Sequence, residues 1–168
     1  MDRLSIYAKK NMKKINKSNF KKALGKFATG VTVICTNHDN QIYGVTVNSF
    51  SSLSLSPPLV LFSLGKNSSS INSFLKSKYL SVNILSKEQK KVSDHFAVNN
   101  HPNYNDDIIF FVGNKNTPLI NNCIANLECK LIENLKKGDH YIFICELINI
   151  KHDDKKKPLL YFNSKYIK

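Results

Sequence analysis

Apolar residues alternate with polar ones over short stretches of the chain, and turn-forming residues separate these stretches. Val45 and Val47 show the alternation, as do Leu53 and Leu55, which predicts two extended segments joined through an irregular middle. Further strands are predicted at residues 31–36, 59–64, 79–85, 108–112, 125–131, 140–148 and 158–162, the last of them together with Tyr166. Because no repeating β-α-β rhythm links them, the pattern favours a mainly β fold, a closed antiparallel barrel with a few peripheral helices.

Apolar residues at helical spacing predict those peripheral helices. The first has Phe20, Leu24 and Phe27 on one face, which is expected to pack against an end of the barrel. It should begin with Ser18 as its N-cap and end near Gly30. A second helix is predicted at residues 70–75.

The third helix has a recognisable start. Ser86 is followed three residues later by Gln89, the spacing of a capping box. This helix carries His95 and Phe96. The polar residues 99–107 after it are expected to form an exposed loop.

Other local patterns predict single features. Residues 37–40 are turn formers between two extended runs, which indicates a hairpin. The strand at 59–64 is apolar at almost every position and is therefore expected to be covered on both faces. Glu128 falls opposite the inward-facing residues of its strand, so we expect it to be exposed or paired at an interface.

Composition narrows the class of protein. A chain of 168 residues, 42% of them hydrophobic, is expected to form one domain, here residues 18–168 after a basic arm at residues 1–17. The net charge of +13 comes almost entirely from scattered lysines, with no recognition motif, so nucleic-acid binding is not favoured. A positive field would instead attract anionic nucleotides.

The cysteines and the apolar runs indicate whether the protein binds a metal and where in the cell it is expected. The four cysteines have no Cys-x-x-Cys spacing, so we expect no metal site, and three of them lie in apolar runs typical of core residues. No run is long enough for a membrane span, and the basic N-terminus lacks the apolar segment of a signal peptide. We therefore expect no contact with a membrane and a cytoplasmic location.

Two polar segments and one histidine are candidates for ligand binding. Residues 48–52 and 65–70 offer small hydroxyl and amide side chains and backbone N–H groups, which suit an anionic, partly planar ligand. Each is also compatible with an ordinary serine-rich loop or a capped helix. His140 follows a Gly-Asp turn at the start of a strand, where it either faces a site at the barrel rim or stabilises the turn.

Several spaced stretches of the chain resemble the flavin reductase family. They lie at residues 27–34, 44–54, 57–62, 81–85 and 93–97, followed by Gly138-Asp139-His140 before a strand. They occur in the family's order, and the resemblance extends over most of the chain. One departure is Val98, where the family usually has a glycine.

The resemblance implies an antiparallel Greek-key FMN-binding split barrel, usually a homodimer with flavin near the subunit interface. It also implies an NAD(P)H:flavin oxidoreductase that passes hydride from NADH or NADPH to FMN or FAD. Such a reductase commonly hands reduced flavin to a separate flavin-dependent monooxygenase.

The resemblance also implies a set of site residues. His140 would face the nicotinamide. The flavin ring and ribityl chain would be lined by Thr46, Val47, Asn48 and Ser49, with further amides or hydroxyls from Ser51 and Ser52. The phosphate end would be held by Lys66, Asn67, Ser68 and Ser70. Phe96 would form a wall of the pocket.

Other functions are compatible with parts of the sequence. A non-catalytic flavin-binding or electron-transfer protein on the same barrel would bind flavin and ignore nicotinamides. A basic nucleic-acid-binding barrel is suggested by charge alone, and a relative of pyridoxamine-phosphate oxidase would share the barrel but matches the motifs less well.

Overall fold

The computed structural model describes residues 15–98 and 107–167. Most of the predicted basic arm and of the predicted loop at 99–107 therefore lies outside the described residues. The helices are α1 (Lys17–Leu24), α2 (Ile71–Lys76) and α3 (Lys90–Ala97), with a short 3-10 turn at Lys87–Gln89. The strands are β1 (Thr29–Gly30), β2 (Thr32–His38), β3 (Gln41–Val47), β4 (Ser51–Leu55), β5 (Pro58–Gly65), β6 (Tyr79–Ile84), β7 (Phe110–Val112), β8 (Pro118–Ile120), β9 (Ala125–Lys137), β10 (His140–His152), β11 (Leu160–Phe162) and β12 (Lys165–Ile167).

Seven of these strands form one antiparallel sheet in the order β3-β2-β6-β9-β10-β5-β4. Two small sheets, β1-β11-β12 and β7-β8, complete the β structure. The prediction of a mainly β, antiparallel fold with few helices is confirmed. Closure of the large sheet into a barrel stays a prediction.

The turns between strands follow local backbone preferences. The expected hairpin forms between β2 and β3, and its two central residues, Asp39 and Asn40, have φ of 52° and 59°. Aspartate and asparagine tolerate this left-handed region better than most residues. Asn163 and Ser164 also have positive φ, and they turn the chain between β11 and β12, so the single last strand predicted to include Tyr166 is in fact a hairpin of two short strands.

Strand β2 is buried on both faces, because hydrophobic clusters lie on either side of it. Ile34 belongs to the larger cluster, in which the rings of Phe62 and Phe143 stack at 4.9 Å between centroids. Val33 and Cys35 point the other way, into a second cluster that contains Phe96 of α3. All four cysteines are buried and unpaired by disulfides, which confirms the three predicted as core residues and adds the fourth.

A buried asparagine in the stretch that resembles the family ties the small sheet β7-β8 to the large one. Asn83 of β6 donates to the carbonyl of Val33 at 3.1 Å, and its Oδ1 accepts from the Ile120 N–H at 2.9 Å. The same oxygen accepts from Asn126 Nδ2 at 2.8 Å. This part of the motif therefore has a structural role.

The prediction for α1 was wrong in its bounds and in its packing. The helix is capped by Asn16, whose Oδ1 accepts the Ser18 N–H at 2.8 Å, so Ser18 is not the cap. It ends at Gly25 because glycine is a weak helix former. No residue of α1 is buried, and Phe20, Leu24 and Phe27 are 53%, 58% and 77% exposed.

The prediction that the strand at 59–64 is covered on both faces was wrong, because only one face of β5 is fully buried. Val60, Phe62 and Leu64 are buried, whereas the residues between them are half-buried. Burial therefore alternates along this strand even though almost every residue in it is apolar. The reason is that β5 lies next to the edge strand β4, where the outer face lacks a full cover.

Glu128 is buried, contrary to the expectation of an exposed or interfacial residue. Its carboxylate accepts hydrogen bonds from Thr117 Oγ1 at 3.0 Å and from Asn149 Nδ2 at 2.9 Å. Burial acts to raise the pKa of Glu128, but these bonds and the backbone N–H groups of Asn114 and Lys115 outweigh it and lower the pKa below its ordinary value. The loop between β7 and β8 supplies Asn114, Lys115 and Thr117, and β10 supplies Asn149, so these donors come from segments that the alternation along β9 could not reveal.

Candidate functional site

Three segments that are distant in the sequence line one open cleft of about 710 Å³. They are the end of β3 with the residues after it, the end of β5 with its following loop, and the β9-β10 hairpin. The lining residues are Val45, Thr46, Val47, Asn48, Ser49, Ser63, Leu64, Gly65, Asn67, Ser68, Lys137, Asp139, His140 and Ile142.

Hydrogen bonds hold the three segments in place. Ser49 Oγ accepts the N–H of Ser63 at 3.0 Å and donates to its carbonyl at 2.9 Å, which fastens the residues after β3 to β5. On the other side, the Lys66 N–H donates to the carbonyl of Asp139 at 2.9 Å. The cleft therefore forms where β5 and its following loop are hydrogen-bonded to the segment after β3 on one side and to the β9-β10 hairpin on the other.

The β9-β10 hairpin places His140 at the rim of the cleft. Gly138 has φ of +60° in the first position of the two-residue turn, a conformation that favours glycine. Asp139 Oδ1 lies 2.7 Å from His140 Nδ1, and this contact with the imidazole lowers the pKa of Asp139. With half of its side chain exposed, His140 is oriented by Asp139 and accessible to a ligand.

Asn48 is the residue of the β3 segment with a side chain exposed in the cleft. The hydroxyl of Thr46 donates to the carbonyl of Ser93 in α3 at 2.7 Å, and that of Ser49 is bound to Ser63. Val47 is buried. These neighbours fix the backbone, and Asn48 is left to offer its amide to a ligand.

The loop after β5 contributes Asn67 and Ser68 to the cleft. The Ser68 N–H donates to the carbonyl of Gly65 at 3.0 Å, which folds the loop back on itself before α2. Lys66 is exposed next to the cleft without lining it, and Ser70 is buried at the start of α2. Two of the four predicted phosphate-end residues thus reach the cleft surface.

Phe96 lies beside the cleft in the core. It is 5% exposed and packs so closely on Gly44 that a Cβ there would come within 2.5 Å of the ring. Together with Ser70 it lines a small adjoining cavity of about 20 Å³. Phe96 therefore does not line the main cleft and instead supports β3 at Gly44, while its predicted part in the flavin pocket stays a prediction.

Ser51 and Ser52 are not brought to the cleft. Both are exposed on β4, the edge strand of the large sheet, and the hydroxyl of Ser51 donates to the carbonyl of Ser52 at 3.0 Å. The chain turns away after Ser49, so residues two positions further on no longer share its surroundings.

Sequence reasoning missed several lining residues, notably Ser63, Lys137 and Ile142. Ser63 of β5 pairs with Ile142 of β10, and Lys137 of β9 pairs with His140 of β10. The Gly-Asp-His turn was the available signal, since any hairpin places the residue before the turn beside the residue after it.

Two further kinds of feature were sought among the described residues, a metal site and a membrane-spanning helix. No three His, Cys, Asp or Glu side chains there come together as a metal site. In the same ranges, no helix combines the length and apolar character that crossing a bilayer requires.

Comparison with known proteins agrees with this architecture. The family model described as a flavin reductase like domain matches residues 24–168. FMN reductase (NADH) SmoA of Agrobacterium fabrum is 36% identical over 139 residues, covering 83% of this chain and 79% of that protein. The reductase subunit HsaB of a flavin-dependent monooxygenase from Mycobacterium tuberculosis is 33% identical over 90% of this chain and 82% of its own.

A solved structure is also similar. NADH:FAD oxidoreductase SgcE6 of Streptomyces globisporus, in complex with NAD and FAD fragments, superposes with a TM-score of 0.86 at 30% identity. The match covers 91% of this chain and 92% of that one. The chain belongs to the flavin reductase like family.

Proposed function

We propose that this chain is an NADH-dependent flavin reductase acting on FMN or FAD. The observation that carries the proposal is the single cleft that joins Asn48, the loop at Asn67 and Ser68, and His140. Relatives named as NADH-dependent enzymes of FMN and of FAD support it, and they favour NADH over NADPH as the donor. The choice between FMN and FAD is left to the experiment below.

The residues of the cleft fit a flavin. Its volume of about 710 Å³ is in the range of small-molecule sites, and its lining combines apolar, hydroxyl and amide groups. The segment Thr46 to Ser49 would contact the ring and ribityl chain through Asn48 and through backbone groups. Asn67, Ser68 and the nearby Lys66 would bind phosphate, with Ser70 supporting the loop from below.

Bound flavin supplies the hydride acceptor, and the protein has to place donor and acceptor together and exclude water. His140 would orient the nicotinamide at the rim, with its ring held by Asp139. The hydroxyls of Thr46 and Ser49 fix the segment from Thr46 to Ser49, which lines the cleft, through their hydrogen bonds to Ser93 and Ser63. A rigid binding segment allows the flavin to be held in the orientation that hydride transfer requires.

Anaerobic stopped-flow absorbance at the oxidised flavin band tests the proposal. Protein with FMN or FAD is mixed with NADH or NADPH in separate runs, and rapid bleaching with NADH is expected. Flavin binding without bleaching by either nicotinamide would instead support the non-catalytic electron-transfer protein. A chain that binds no flavin would refute the assignment of the cleft.

Replacing Asn48 by leucine should weaken flavin binding. The polar edge of the ligand would lose its partner, which is expected to raise the Kd for FMN about tenfold. Quenching of flavin fluorescence measures the Kd. Asn72→Leu, at an exposed position of α2 outside the cleft, is the matched control and should leave the Kd unchanged. Equal values for both variants would remove Asn48 from the site.

We further propose that the domain at residues 18–168 works as a cytoplasmic homodimer that supplies reduced flavin to a monooxygenase. The exposed apolar residues of α1, together with Leu53 and Leu55 of β4, support an interface between two copies. Relatives named as reductase components of monooxygenases support the last step. Sedimentation should show the mass of two chains, and a fully active monomer would contradict the dimer.

A further inference from the structure

Lys137 is an unassigned cation beside His140. In the antiparallel register, Lys137 of β9 pairs with His140 of β10, and His140 pairs with Gly65 of β5. Paired residues project from the same face of a sheet. The three residues therefore form one row across the sheet, and all of them line the cleft.

The order of these three residues in the row shows which end of the cleft lies near Asn48 and which end lies beyond His140. Gly65 adjoins the segment that carries Asn48 and Ser49, whereas Lys137 lies on the far side of His140. Neighbouring strands are about 4.8 Å apart, so Lys137 stands one strand spacing beyond the histidine. A dinucleotide whose nicotinamide lies at His140 would extend outward over Lys137, with its first phosphate one ribose away.

The charges near the hairpin favour an anion at this point. Asp139 is the carboxylate closest in sequence, and its Oδ1 is engaged by His140. None of the ion pairs between described residues includes Lys137. Its four-carbon stem can move the ammonium toward a phosphate without changing the strand.

We propose that Lys137 binds a phosphate of the reduced nicotinamide dinucleotide and so sets the affinity for the hydride donor. This inference rests on the proposed function. It assigns to Lys137 a specificity role through the donor's phosphates, with no part in hydride transfer itself. A lysine is suited to it as a mobile point charge for phosphate.

Lys136 offers a matched control one residue away. It is exposed and basic like Lys137, but it pairs with Tyr141, whose row projects from the other face. It does not line the cleft. A loss of general positive charge should affect both variants equally, whereas a loss of the phosphate contact should affect Lys137→Ala alone.

Steady-state kinetics with NADH and with dihydronicotinamide riboside, which has no phosphate, tests the inference. Lys137→Ala should raise the KM for NADH about fivefold with little change in kcat, as expected for an exposed charge contact. The ratio of kcat/KM for NADH to that for the riboside should fall by the same factor. Lys137→Arg should restore most of the affinity, and Lys136→Ala should behave like the unaltered chain.

The remaining comparisons decide between outcomes. An equal rise in KM for NADH and NADPH would support a contact with the pyrophosphate, whereas a rise confined to NADPH would place Lys137 at the 2′-phosphate and overturn the inference. An unchanged KM for both donors, or a higher Kd for flavin in place of a higher KM, would overturn the inference. If the unaltered chain reduces flavin with neither NADH nor the riboside, the proposed function itself fails, which is a separate result.

Discussion

Replacing Gly113 by alanine is expected to lower the free energy of unfolding by about 3 kcal/mol or more. A Cβ at Gly113 would lie 2.4 Å from Thr117 Oγ1 and 2.5 Å from the carboxylate of Glu128. Both groups are buried, and Thr117 is a donor to that carboxylate. The loop would have to move away, which would leave a buried charge with fewer hydrogen bonds.

Gly30→Ala is the control for this prediction, because a Cβ at Gly30 meets nothing within 4 Å. Its effect should stay within about 1 kcal/mol, the ordinary range for this substitution where the conformation allows it. Chemical denaturation followed by circular dichroism measures both variants. Similar stability of the two would show that the Gly113 loop does not depend on its close approach to Glu128.

The same carboxylate shows what the sequence could not reveal. Alternation along β9 predicts which residues share a face, but it does not show which other segments cover that face. Glu128 projects away from the larger hydrophobic cluster, toward a loop that begins fifteen residues earlier at Gly113. Donors from that loop turn an apparently exposed position into a buried one.

Elements that depend on local chemistry were predictable. The hairpin at Asp39 and Asn40, the capping box of Ser86 and Gln89, and the glycine turn before His140 all form as expected. In each case, a few neighbouring residues determine the backbone conformation. The helix α1 is different, since its apolar face suggested burial although nothing in the described chain covers it.

Part of the candidate site was predictable from the sequence, namely the residues whose own local motif lines the cleft. Asn48 and His140 were both identified although they are far apart in the sequence. Strand β10 pairs with β5, and Ser49 is bonded to Ser63 of β5, so their two segments meet at one cleft. Ser51 and Ser52 follow Asn48 closely in sequence but lie on an edge strand outside it. Lys137 was missed because its relation to His140 exists only through the register of the hairpin.

Two histidines of β10 allow the role of His140 to be separated from its local structure. His140 and His152 lie at opposite ends of this strand, and both are largely exposed. Each has Nδ1 close to a neighbouring carboxylate, at 2.7 Å from Asp139 and 2.9 Å from Asp154. Only His140 lines the cleft of about 710 Å³. The pair therefore differs mainly in access to the proposed ligands.

Replacing His140 by alanine should lower kcat/KM for NADH by about ten- to a hundredfold, the cost of a misplaced reacting group. Flavin binding should change little, because Asn48 and the loop after β5 would remain in place. Stopped-flow bleaching measures the first quantity and fluorescence quenching the second. His152→Ala should leave both unchanged. Equal turnover by the two variants would exclude His140 from the donor site, whereas a parallel loss of flavin affinity would assign it to the flavin itself.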